Sequence, residues 1–162
     1  MIGQTIAFFL TNLPAFMLAL ALGISLLQKS QRNAASLLGW VLLLPIGLTA
    51  LWAGVMHVFF PQTAAAYIGW QVSPFQFEVG MADLALGVTA CLAFWRPWEF
   101  RAAVVCAVSI FLLGDAIGHI REMIAAGNFA PGNAGVPFFM DIIGPVLAIA
   151  LLFASRRGAP TA

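Results

Sequence analysis

Charge is scarce in this sequence. Only 8% of its 162 residues are charged, seven of them basic and six acidic. A soluble domain carries about 25%, so a water-facing surface of this size would be left largely uncovered. The formal net charge of +1 and the lack of any basic stripe exclude nucleic acid as a partner. Cysteine is scarce too. Cys91 and Cys106 give neither a disulfide framework nor a metal-ligand spacing, and read as small apolar helix residues. No Lys or Arg precedes the first apolar run. That run lacks the charged leader of a signal peptide and reads as a retained span. The low hydrophobicity that marks disorder is also missing.

What is present is apolar: 62% of residues are hydrophobic and the mean hydropathy is +1.00. Uninterrupted apolar runs of about 20 residues indicate membrane spans. Five can be traced, at 5–27, 37–60, 75–95, 102–125 and 137–154. Backbone polar groups in lipid must be satisfied internally, so each is expected as a helix. No run alternates with period two, which argues against a barrel. The sequence therefore predicts an all-α polytopic membrane protein, a bundle of five transmembrane helices forming one domain over 1–162. Lys29 and Arg32 fall between the first two spans, Arg96 and Arg101 between the third and fourth, and Arg156 and Arg157 after the fifth. The other two connections, 61–74 and 126–136, contain no Lys or Arg. By the positive-inside rule the N-terminus lies outside and the C-terminus in the cytoplasm of a cell inner membrane.

Local signals sharpen this picture. Ser73, Pro74 and Gln76 match a capping box with proline at the first helical position, and Pro137 opens the fifth span in the same way. Pro14 and Pro45 lie inside spans and should kink them. Ala15, Ala19 and Gly23, and the pair Gly114 and Gly118, recur every four residues and predict close helix packing. Tyr67 and Trp70 read as interfacial anchors, and 128–135 as a turn-rich, uncharged outer loop.

The acidic residues are distributed differently from the basic ones. Glu78, Asp83, Asp115, Glu122 and Asp141 all lie inside or at the edge of spans, towards the outer half, as do His57 and His119. At about 1.5 Å per residue, four different spans send ionisable groups to one level. Asp115, His119 and Glu122 share one helical face, while Asp83 lies with Gly80 and Gly87 about 140° from Glu78. Asp83 is therefore assigned to a separate helix contact. Ionisable groups in a bilayer cost about 2.5–3.5 kcal/mol each at its centre. Their collection at one depth makes His57, Glu78, Asp115, His119, Asp141 and Glu122 candidate ligand- or proton-binding residues. Asp115 and His119, at i and i+4, together with His57 and Glu78 form a mixed carboxylate and imidazole set that would suit a divalent metal. Arg121 reads as an interfacial partner of Glu122 or a snorkelling charge.

Residues 78–106 carry Glu78, then small and apolar residues through Leu84, Leu86 and Gly87, then Arg96, Arg101 and Ala102. This resembles the acidic-helix pattern of DoxX-like small membrane proteins, typically four-span bundles, some associated with quinone-linked oxidation. His57-Val-Phe-Phe-Pro61, the stretch from Gly69 to Glu78, Gly114-Asp-Ala-Ile-Gly-His119 and the stretch from Asn128 to Asn133 are similar to a group of uncharacterised small bacterial membrane proteins. That resemblance implies a five-helix membrane fold and no activity. Three readings stand: a protein that binds or translocates a cation, proton or small polar solute; a metal-dependent membrane enzyme using His57, Glu78, Asp115 and His119; and an accessory subunit of a larger membrane complex, a quinone-linked redox complex among the options, with a homo-oligomer as a further form of assembly. The lipid bilayer is the one partner common to all three.

Overall fold

A computed structural model describes residues 2–28 and 33–156, and every regular element among them is helical. Lys29, Arg32 and Arg157 lie outside the described residues. In chain order the elements are α1 (Ile2–Thr11), α2 (Leu13–Leu27), α3 (Ala34–Val41), a π-helical segment (Leu42–Leu48), α4 (Thr49–Phe59), α5 (Pro61–Ile68), α6 (Pro74–Ala93), α7 (Trp98–Ala126), α8 (Pro131–Ala134) and α9 (Val136–Arg156). Four helices are long and apolar enough to cross a membrane: Ala34–Phe59, Pro74–Ala93, Trp98–Ala126 and Pro131–Arg156. They match the four later predicted spans to within a few residues. The 5–27 span is divided instead. Pro14 has no N–H to give the carbonyl four residues back. The chain leaves helical geometry at Asn12 (φ −104°, ψ 12°), whose side chain donates to Phe8 O at 2.8 Å. Phe8 and Phe9 fold onto Phe16 across this break. α2 alone, with 15 residues, spans about 22 Å, less than a hydrocarbon core.

The outward surface suits lipid. Ile110, Ile117 and Ile124 recur every seven residues along α7 and are 72%, 61% and 81% exposed. An apolar stripe of this kind would be a liability in water.

One end of the bundle is close-packed. Leu38, Val41, Leu42, Ala90, Ala93, Val104, Val105, Val108, Ala148 and Leu152 form its core. Arg101 closes that end. Its guanidinium donates to Ala93 O (3.0 Å), Phe94 O (2.7 Å) and Ala35 O (2.6 Å). It thereby satisfies carbonyls at the C-terminal end of α6, where a cation is also favoured by the helix dipole. The Trp98 indole N–H donates to Leu152 O at 3.1 Å.

The close helix packing occurs away from the predicted four-residue stripes. A Cβ built on Gly23, Gly114 or Gly118 would meet nothing within 4 Å. The intimate contact runs along Gly47 and Gly54 against Gly80 and Gly87. A Cβ on Gly54 would lie 2.8 Å from Gly80 O, and one on Gly87 3.0 Å from Gly47 O. The pairing is antiparallel, Gly47 with Gly87 and Gly54 with Gly80, and the spacing on both helices is seven. A seven-residue period keeps one seam facing its partner in a left-handed crossing, whereas four-residue spacing belongs to the right-handed type.

The predicted capping box at Ser73 also resolves differently. Ser73 is the N-cap and Pro74 follows, but the Ser73 side chain makes no cap bond. Gln76 instead reaches across to donate to Pro61 O at 2.8 Å.

Candidate functional site

At the end opposite the close-packed core, the bundle forms a partly open cavity of about 410 Å³. The π segment forms part of its wall through Pro45 and Ile46. α4 adds Thr49, Ala50, Ala53, Met56 and His57, and α6 adds Val79, Asp83 and Leu86. Phe111, Leu112, Asp115 and His119 enter from α7, and Met140, Asp141 and Gly144 from α9. Thr63 and Tyr67 of α5, and Leu10, Thr11 and Pro14 near the α1–α2 break, also line it. The walls are mostly apolar, and five ionisable side chains, His57, Asp83, Asp115, His119 and Asp141, are set into them.

Of the six residues selected from sequence, His57, Asp115, His119 and Asp141 line this cavity. Glu78 and Glu122 do not. Glu78 is exposed on a different face of α6. Glu122 is half-buried, and its backbone carbonyl accepts from the N–H groups of Gly127 and Asn128. Arg121 makes no ion pair among the described residues, consistent with the rule that i and i+1 side chains diverge on a helix.

Asp83 enters the site that sequence reasoning had kept it out of. It is 7% exposed and lines the cavity, and among the described residues it has no hydrogen-bond or ion-pair partner. The face it shares with Gly80 and Gly87 packs against α4, and where that seam opens the side chain reaches the cavity. Asp83, Asp115 and Asp141 lie within electrostatic reach of one another. Thr49 Oγ1 and His57 Nδ1, both on cavity-lining residues, are buried without a hydrogen-bond partner.

His119 is the most constrained group. Its Nδ1 lies 2.8 Å from Asn133 Oδ1, and its Nε2 lies 3.5 Å from Asp141 Oδ2. Asn133 is fully buried. Its Nδ2 donates to His119 O (3.2 Å) and Asn128 O (2.9 Å), while its Oδ1 accepts from the Trp70 indole N–H (3.2 Å). An indole is donor-only and a carbonyl acceptor-only, so these partners fix the amide orientation. Oδ1 can then only accept from His119, which places a proton on Nδ1. Left bare, the other ring nitrogen would set its lone pair against the Asp141 carboxylate, so the 3.5 Å approach favours one proton shared between them. Either His119 is an imidazolium facing a carboxylate, or a neutral imidazole accepts from a protonated acid.

The support for His119 comes from the two connections at the cavity end, between α5 and α6 and between α7 and α9, which brace each other. Gly69 (φ 80°) and Gly127 (φ 62°) end α5 and α7 in left-handed geometry that glycine adopts without strain. Asn128 then donates to Ile68 O (3.0 Å). Gly132 lies so close to Tyr67 that a Cβ would come within 2.7 Å of its ring and of its carbonyl. The Tyr67 hydroxyl donates to Thr11 O at 3.5 Å, and burial pushes that phenol above its ordinary value, keeping it a donor. Trp70 and Tyr67 thus act as braces beyond the anchoring role expected of them. Asn133 was not singled out from sequence. Its only signal was its place in a Pro-Gly-Asn turn inside an uncharged loop.

The metal set proposed from sequence does not converge. Among the described residues no group of three His, Cys, Asp or Glu side chains is arranged to hold a metal ion. Glu78 faces away, and both His119 nitrogens are engaged.

Residues 7–161 match the model of a family described as a family of unknown function, DUF6790. No curated protein and no solved structure matches the chain.

Proposed function

The chain belongs to this DUF6790 family of unknown function, and from that premise we propose that it is a membrane protein whose cavity binds a cation in exchange for protons, as a binding or translocating unit. The observation that carries the reading is the charge balance of the cavity. Three carboxylates stand against two imidazoles, with one ion pair among them. In a low-dielectric setting unpaired carboxylates either hold protons or hold a cation. A cation arriving at Asp83 or Asp115 therefore displaces protons, and the His119–Asp141 pair holds a further transferable proton beside them.

In this reading α1 and α2 together form the first of five spans, with their joint at Asn12 beside the cavity. The N-terminus and the cavity face the outside, and the C-terminus faces the cytoplasm. The distribution of Lys29, Arg32, Arg96, Arg101, Arg156 and Arg157 supports that orientation in a bacterial inner membrane.

The test uses protein in neutral-lipid nanodiscs, lightly buffered, with a pH-indicating dye. Na⁺, K⁺, Mg²⁺, Mn²⁺ and a series of alkylammonium ions are added in turn. At least one should release protons from the wild type, and the release should be lost in Asp83→Asn and Asp115→Asn variants that retain their helical content. Equal signals from wild type and variants across the whole panel would refute the reading.

One observation favours a second reading, an accessory subunit or homo-oligomer. The Gly114 and Gly118 face of α7 is uncovered, and small residues at that spacing suit close helix approach. A chain that stays monomeric in mild detergent and still exchanges protons for a cation would count against it.

A further inference from the structure

We infer that the cation is an organic amine, a protonated primary ammonium carrying an apolar tail. This rests on the reading of the cavity as a cation site and specifies its ligand. At about 410 Å³ the cavity is far larger than a dehydrated inorganic ion needs. It falls within the range of about 300–1,000 Å³ typical of small-molecule sites. Its walls, Ile46, Ala53, Met56, Leu86, Phe111 and Met140 among them, offer no donors to an inorganic ion's coordination sphere. The absence of a converging three-ligand group among the described residues points the same way.

The polar part of the cavity selects the head group. No Lys or Arg lines it, so a phosphate or carboxylate head would meet three Asp side chains with no arginine or lysine to offset them. A neutral lipid tail would leave Asp83 buried and unpartnered. Asp83 lines the cavity with no hydrogen-bond partner among the described residues, and Thr49 Oγ1 and His57 Nδ1, about 12 Å apart along α4, are buried on the lining without one; an ammonium brings one positive charge to Asp83 and spare donors that can reach one of these two. A molecule with a cationic end and an apolar body satisfies both halves of the cavity; no single-character ligand does.

Two quantities follow. Each methylene buried against the apolar wall should tighten binding about fourfold until the cavity is full. Removing the charge at either end, on the ligand or on Asp83, should weaken binding at least tenfold. The experiment measures binding of butyl-, hexyl- and octylammonium, with 1-octanol as the neutral control, to protein in nanodiscs against empty nanodiscs. Wild type, Asp83→Asn and Ala53→Leu are compared, and proton release is read in parallel for Na⁺, K⁺, Mg²⁺ and Mn²⁺. The expected result is a rising affinity along the alkyl series, at least tenfold weaker 1-octanol, and loss of amine binding in Asp83→Asn. Ala53→Leu, which narrows the apolar part, should weaken octylammonium while sparing butylammonium. If 1-octanol binds as well as octylammonium, or Asp83→Asn binds the amine like wild type, the amine assignment is overturned. Proton release by an inorganic ion with none by the amines overturns it too but leaves the cation reading intact. No proton release by any cation overturns both.

Discussion

Replacing Asn133 with leucine tests whether the connections at the cavity end set the state of His119. The side chain makes four hydrogen bonds. The one from Trp70 ends on a residue 43% exposed, whose indole N–H can return to water, so its loss costs little. The other three surround His119 and Asn128. At about 1 kcal/mol net each, and more where a buried donor is left unmet, their loss amounts to about 3 kcal/mol. Leucine keeps the branched shape with bulkier ends, so Asn133→Ala is measured beside it to separate crowding from lost hydrogen bonds. Unfolding in mixed micelles, followed by tryptophan fluorescence, measures the change. Nitrogen NMR of labelled histidine reads the second consequence: His119 Nδ1 is protonated in the wild type and loses that fixed tautomer in the variant. A Trp70→Phe variant alone should be nearly neutral. A destabilisation below about 1 kcal/mol with the Nδ1 proton still in place would refute the argument that Asn133 holds the ring.

Three other outcomes are expected. Gly54→Ala or Gly80→Ala should destabilise by about 1–3 kcal/mol through backbone contact between α4 and α6, while Gly114→Ala should be neutral or slightly stabilising; the same unfolding assay separates them. Arg101→Ala removes three charged hydrogen bonds at a half-buried site and should cost about 3 kcal/mol after allowance for solvent, with Arg101→Lys recovering only part because an ammonium lacks the planar fork. Asp141→Asn should keep the fold, since an amide can still donate to His119 Nε2, but should lower the protons released on cation binding by up to one per chain, measurable with the pH-indicating dye.

The long apolar runs made the four later helices legible, because lipid demands a minimum length and an internally satisfied backbone. The clustering of His57, Asp115, His119 and Asp141 was legible from depth, which depends only on residue count. What sequence missed depends on azimuth and on contacts distant along the chain. Glu78 shares the level of the cluster but faces out, and Asp83 faces in because the seven-residue glycine seam turns that side of α6 towards α4. A search for four-residue stripes picked Gly114 and Gly118, where a Cβ would meet no neighbour, over Gly47, Gly54, Gly80 and Gly87, where it would meet the facing helix. Asn133 was invisible because its partners are 14 and 63 positions away. The division of the 5–27 span was signalled by Pro14 but is completed by the Asn12 side chain bonding back to Phe8.

The π-helical segment at Leu42–Leu48 has a consequence for how this fold tolerates change in chain length. Its wider turns take up about one residue more than an α-helix would over the same rise. Everything after it is therefore rotated by roughly 100° relative to a regular continuation. Deleting one residue there would not shorten the helix noticeably, yet it would swing His57, Ala53 and Gly54 together away from α6. Site and seam are thus indexed by a single residue of surplus chain, and apart from Gly47, which the seam requires, substitutions within this stretch should be borne far better than any insertion or deletion.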